Sequence, residues 1–204
     1  MSFVGLGRFK DSEAMPLLIL VDLQQEYLCE TRPLGLDSFK PVVENCRKLL
    51  TCARSAQIPV AFVRWLQGSL VFNPNERFSD WIDGFSPAGS DMTFERSLPS
   101  CYSSSEFSRV MDQGGGRNAV IAGFTGSVAC LATIVEGSSY RHKYTFVEDA
   151  STSHVIRGND EKISHEMATS LISTFAQVTI TDDWIKKQNY KATTDIVKDS
   201  HVLL

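Results

Sequence analysis

Five consecutive aliphatic residues, Leu17-Leu18-Ile19-Leu20-Val21, followed at once by the acid Asp22, constrain this chain more than any other feature. A run that is apolar at every position has no polar face to offer water. As a strand it must be covered on both sides, as in a parallel sheet layered between helices. Parallel strands need crossover connections, and the next segment supplies one. From Phe39 to Ala56 the residues Val42, Val43, Cys46, Leu49, Leu50 and Ala53 recur at three- and four-residue spacing, which predicts an amphipathic helix that stops ahead of Ile58-Pro59. Val60 to Val63 reads as the second strand.

Residues 66–91 carry Gly, Pro, Asn and Ser positions without a sustained period and read as a long excursion around a short helix near Ser79 to Asp83, the kind of loop that shapes ligand sites. Met92 to Phe94 reads as a third strand. A helix from about Ser104 to Met111 stops at Gly114-Gly115-Gly116. Ala119 to Ala122 is the fourth strand, about Ser127 to Tyr140 a helix, and Tyr144 to Val147 the fifth strand, followed by Glu148-Asp149. Asn159 or Asp160 can cap a helix running to about Phe175, and Val178 to Thr181 closes the pattern. From about Lys186 the chain turns polar, with a small apolar end at Val202, Leu203 and Leu204; this reads as a loose tail or as an arm packing on another subunit.

Six alternations of strand and helix imply an α/β fold: a three-layer α/β/α, Rossmann-like architecture on a six-stranded, mostly parallel sheet. At 204 residues, with 43% apolar and 22% charged positions, the chain suits one domain, with its core over about 15–185 and a tail over about 186–204. A net charge of −4 with scattered Lys and Arg excludes a nucleic-acid face. No apolar run reaches the roughly 18–20 residues of a membrane span, and MSFVGLGRFKDSEA lacks a secretory pattern, so a cytoplasmic protein is expected. The five cysteines, Cys29, Cys46, Cys52, Cys101 and Cys130, are odd in number and form no CxxC pair, which predicts free thiols.

In open α/β sheets ligands collect at the carboxyl ends of the strands. That rule selects Asp22, the segment from Arg64 to Gln67, Glu95-Arg96, the segment from Gly123 to Cys130, and Asp149. The same positions carry a family resemblance. LLILVDLQQEYL, with Asp22, Gln24 and Tyr27, resembles the first-strand motif of the isochorismatase-like hydrolases, which include nicotinamidases, carbamoylsarcosine amidases and isochorismatases. FERSLPSCYSSSEF resembles the second motif, with Arg96 in the place of the family's catalytic lysine and Tyr102 at an aromatic position. AVIAGFTGSVACLAT resembles the third, in which a glycine ends the strand and a nucleophilic cysteine follows six positions later. YTFVEDASTS resembles the next segment, so the resemblance covers residues 17 to about 184.

The resemblance implies an Asp, Lys and Cys triad in amidase members. Here its corners read Asp22, Arg96 and Ala129, and Thr133 matches the family's downstream threonine only in that register. Cys130 lies one residue on, about 100° around a helix. It is either a buried small hydrophobe or, if the loop from Phe124 carries an extra residue, a thiolate at a helix N-terminus. True isochorismatases commonly carry a small residue at the cysteine position, and their vinyl-ether chemistry needs an acid but no thioester. On that analogy Asp22 donates the proton and water attacks. Tyr27, Gln67, Arg77, Tyr102, Phe124 and Thr125 would then face substrate. Arg96, permanently charged, would hold Asp22 ionised or clamp a substrate carboxylate.

Nicotinamidase members hold a metal through an acid and histidines after strand two, but RWLQGSLVFNPNE has no histidine, so neither metal nor cofactor is expected. The resemblance implies a homo-oligomer, a dimer or tetramer. Three readings follow: a hydrolase of a small carboxylated substrate using Asp22, a cysteine amidohydrolase using Cys130, and a non-catalytic binding or scaffold protein.

Overall fold

A computed structural model describes the backbone of residues 16–115 and 118–200 and the side chains of residues 16–113 and 118–190. Its strands are β1 (Leu17–Val21), β2 (Val60–Trp65), β3 (Met92–Arg96), β4 (Ala119–Phe124), β5 (Tyr144–Thr152) and β6 (Gln177–Thr179). Its helices are α1 (Phe39–Ser55), α2 (Ser105–Val110), α3 (Leu131–Ser139), α4 (Glu161–Ile172) and α5 (Thr181–Ser200). The sheet order is β3-β2-β1-β4-β5-β6, and every neighbouring pair is parallel. The chain leaves β1 toward one edge and then returns to build the other from β4. The boundary between β1 and β4 is therefore the point where strand order reverses, the place at whose carboxyl ends ligands collect in open α/β sheets.

The LLILV run splits by the two-residue strand period. Leu18 and Leu20 join the core under α1 and α5, with Leu49, Phe62 and Trp184. Leu17, Ile19 and Val21 join the core on the other face, with Phe107, Ile134 and Ile172. All five are buried, as an uninterrupted apolar strand requires.

Several boundaries differ from the sequence expectation for identifiable reasons. The strand β5 continues through Glu148-Asp149 because the Asp149 carboxylate accepts from the Thr181 N–H at 2.7 Å and hydroxyl at 2.8 Å, capping the start of α5. Residues 126–130 form one wide turn, closed by Cys130 N–H donating to Thr125 O at 3.1 Å, so α3 begins at Leu131. The excursion after β2 contains one short 3-10 helical turn, Arg77–Ser79, in place of a helix over 79–83. The expected tail is helical through Ser200, anchored by buried Thr181, Trp184 and Gln188 at helical spacing. Val202 to Leu204, His201, Gly116 and the first fifteen residues lie outside the described residues. Among the described residues no helix is long and apolar enough to cross a membrane.

Candidate active site

Where β1 ends, the backbone turns sharply. Asp22 adopts φ 50°, a left-handed conformation that costs a non-glycine residue about 1–2 kcal/mol. The turn is held by Asp22 N–H donating to Val63 O at 2.7 Å and by Gln24 N–H donating to Asp22 O at 2.7 Å. On the neighbouring strand Gly123, next to last in β4, lies in register with Val21, at φ 114°. A Cβ there would lie 2.1 Å from Val21 O, so only glycine lets the two strand exits approach this closely.

Arg96, the last residue of β3, lies beside Trp65 at the end of β2, and its side chain crosses that strand end to reach Asp22. Nε donates to Asp22 Oδ1 at 3.0 Å, Nη2 donates to Oδ2, and Nη1 donates to Leu98 O at 2.6 Å and Pro99 O at 3.0 Å. Four of its five N–H groups are thus engaged. The Trp65 ring covers the guanidinium at 4.1 Å. Burial pushes the Asp22 carboxyl above its ordinary range, and the Arg96 fork opposes that rise. Burial acts against the Arg96 charge as well, but Asp22 outweighs it and holds the guanidinium above its usual value.

Gln24 staples the site's floor. Its amide nitrogen donates to Trp65 O at 3.0 Å and Ser79 O at 2.9 Å, while its oxygen accepts from Trp65 N–H at 2.9 Å. Tyr27 is buried, with its hydroxyl against the Asp22 carboxylate. Its ring centroid lies 5.5 Å from Phe72, 5.1 Å from Phe124 and 5.9 Å from His154. Burial lowers the His154 imidazole below its ordinary value. Phe124 and Thr125 are buried beside Gly123, and the peptide between them is cis. Trp65, which lies in the segment from Arg64 to Gln67 selected from the sequence, belongs to this aromatic wall together with Phe72 and His154, which no sequence pattern singles out. For Trp65 the available signal was its place at the end of the strand next to β3.

Ala129 is buried in the turn after β4. Cys130 belongs to the core between α3 and the sheet. Burial drives its thiol well above the ordinary cysteine value, an effect opposite to thiolate stabilisation at a helix end. Thr133 Oγ1 accepts from Cys101 N–H at 3.0 Å, tying α3 to the segment after β3.

The remaining sequence candidates point elsewhere. The Tyr102 hydroxyl bonds His142 Nδ1 at 2.6 Å and the Tyr144 hydroxyl at 2.8 Å, and Tyr144 opens β5, at the opposite end of the strands from Asp22. Arg77 is exposed and lines an outer cleft of about 460 Å³ with Leu28, Cys29, Phe78 and Trp81. The Gln67 side chain is exposed. Asp149 is committed to α5, and Glu95 pairs with Arg64 at 2.6 Å on the sheet edge. Among the described residues no three His, Cys, Asp or Glu side chains converge in a way that could hold a metal ion.

Solved structures share this architecture. An isochorismatase from Pseudomonas putida KT2440 aligns with a TM-score of 0.77 at 24% identity, covering 83% of this chain and 90% of its own. A cysteine hydrolase from Pseudomonas syringae pv. phaseolicola aligns with a TM-score of 0.77 at 20% identity, covering 92% and 98%. An N-carbamoylsarcosine amidase from Thermoplasma acidophilum aligns with a TM-score of 0.66 at 19% identity, covering 82% and 97%. At these identities the likeness is one of fold, and no curated protein matches the sequence. The family itself is fixed by the sequence: residues 16–183 match the model of the isochorismatase domain, and the chain belongs to the isochorismatase-like hydrolase family.

Proposed function

We propose that this protein is a hydrolase of a small carboxylated substrate that works by proton transfer at Asp22 and forms no covalent cysteine intermediate. The observation that carries the reading is a contrast at one strand boundary. Asp22 is a buried carboxyl with raised proton affinity at the β1/β4 switch point, whereas the residue that the family resemblance puts at the nucleophile's position is Ala129, and the adjacent Cys130 thiol is buried in the core. Asp22 would protonate the vinyl carbon of an enol ether, water would add to the oxocarbenium carbon so formed, and the proton released from that water would return to the carboxylate as the hemiketal collapses. Arg96, with four N–H groups committed, would orient Asp22 and offer at most one donor to a substrate carboxylate.

The test is turnover across vinyl-ether, amide and carbamoyl substrates. Asp22→Asn is expected to lower turnover about 10²–10⁴-fold, the usual contribution of a general acid, while Cys130→Ala keeps at least half. Full activity in Asp22→Asn, or a substrate-derived thioester on Cys130, would overturn the reading. A second reading, a binding protein on the family fold, is favoured by the same Arg96 fork, which ties up the acid. Saturable ligand binding without Asp22-dependent turnover would support it.

A further inference from the structure

Any reaction at Asp22 needs access, yet Asp22 and Phe72 are 0% exposed and Arg96 is 1% exposed. Trp65 and Tyr27 close over the pair, and Phe72 packs against both. Its ring lies parallel to Trp65, with centroids 5.4 Å apart and planes 11° from each other, and Trp65 in turn covers Arg96. Phe72 also packs against Tyr27, with centroids 5.5 Å apart, and the Tyr27 hydroxyl faces Asp22. Phe72 thus packs, fully buried, against the two aromatic residues that touch the ion pair. The Trp65 Nε1–H is buried with no hydrogen-bond partner among the described residues.

Phe72 is fully buried although it sits in a loop. Gln67 N–H donates to Phe72 O at 3.0 Å, which closes residues 67–72 into a small flap with Leu70 69% exposed at its tip. Phe72 holds φ 52°, a backbone region that an aromatic residue seldom adopts. One side chain ties the flap to the body. Arg32 donates to Leu70 O at 2.5 Å and forks onto the buried Glu26 carboxylate at 2.9 Å through both Nε and Nη2. Its guanidinium also covers Phe78 at 4.4 Å and lies 3.8 Å from Glu76, so it grips both limbs of the excursion.

We infer that residues 67–72 are a lid over Asp22 and Arg96, that Phe72 is its plug, and that Arg32 is the latch. Substrate enters only when the Phe72 ring leaves its place against Trp65 and Tyr27. The inference rests on Asp22 being the reaction centre, but its test reads the lid and not the chemistry.

The test is amide hydrogen exchange of the full chain, with titration of benzyl alcohol as a ring-sized probe. In the parent protein, peptides spanning 66–76 are expected to exchange well before those of β1 and β4. Arg32→Gln should speed that exchange at least tenfold without changing β1 and β4. It should also tighten the apparent affinity for benzyl alcohol by a similar factor, because apparent affinity scales with the open fraction. Phe72→Leu, which shortens the plug and keeps it apolar, should shift probe binding the same way and serves if Arg32→Gln does not fold. Exchange of 66–76 only together with β1 and β4 in the parent and in every folded variant, or unchanged probe affinity in them, overturns the lid. Loss of the Asp22 reading would appear separately, as turnover that survives Asp22→Asn.

Discussion

Arg96 Nε donates to Asp22 Oδ1 at 3.0 Å, joining the end of β3 to the end of β1 across the intervening β2, with both side chains shielded from solvent. A buried ion pair returns little net stability, because each ion has lost its water. Removing one partner is different, since it strands the other. Arg96→Ala is therefore expected to lower unfolding free energy by about 3–5 kcal/mol at pH 7. Arg96→Lys keeps the charge but not the planar fork, and should cost less, about 1–2 kcal/mol. Urea titrations of the three proteins measure both. An Arg96→Ala variant as stable as the parent would mean that the pair is not formed in solution.

Thiol chemistry separates the five cysteines. Hydrogen bonds from Thr31 lower the Cys29 thiol, which lies at the surface. Burial raises the other four, with Cys101 pushed up to about 12. Timed iodoacetamide labelling with peptide mass spectrometry should modify Cys29 first, Cys52 more slowly, and Cys46, Cys101 and Cys130 only on unfolding. Early modification of Cys130 would return the cysteine mechanism to consideration.

Gly123→Ala tests the β1/β4 boundary. The new Cβ would press on the Val21 backbone and would have to do so at φ 114°, so neither β1 nor β4 can relax locally. A loss of about 3 kcal/mol or more is expected by chemical denaturation. Any folded residue of the variant should also have lost the Asp22 site. A loss under about 1 kcal/mol would show that the strand exits are looser than described.

The pH dependence follows from His165. Its Nε2–H donates to Glu148 O at 2.9 Å, which leaves Nδ1 to accept from Ser153 Oγ at 3.3 Å, and burial lowers its pKa below the ordinary 6.5. A histidine with a lowered folded value is protonated first in the unfolded chain. Its contribution is therefore complete above about pH 6.5 and is lost as pH falls from there through the folded value. His165→Gln should flatten the slope of unfolding free energy between pH 6.5 and 5. Burial lowers His154 in the same direction, so some slope remains. Identical slopes in the two proteins would remove His165 as a contributor.

Much of the fold was legible because its causes are local. An unbroken apolar pentad can only be a strand covered on both faces, and three- and four-residue spacing can only give a helix one apolar side. The turn residues between them set an order of elements that the structure keeps. Asp22 was legible for the same reason: an acid ending such a strand lies at the sheet's carboxyl edge whatever the rest of the chain does. Boundaries failed where a distant group intervened. Asp149 stays inside β5 because Thr181, 32 residues on, uses its carboxylate.

The site's working parts depended on the sheet order. Once β2 lies between β1 and β3, Arg96 must reach across Trp65 to Asp22, and a residue 74 positions away becomes its partner. The same packing turns Tyr102 toward Tyr144, seats Cys130 in the core and stacks Phe72 on Trp65. The sequence by itself determined the α/β order, the covered sheet and the acid at the end of its first strand, since these follow from period and turn chemistry over a few residues. Only the tertiary structure decided what that acid touches, because contacts across dozens of residues are set by which strands become neighbours and which side chains burial leaves room for.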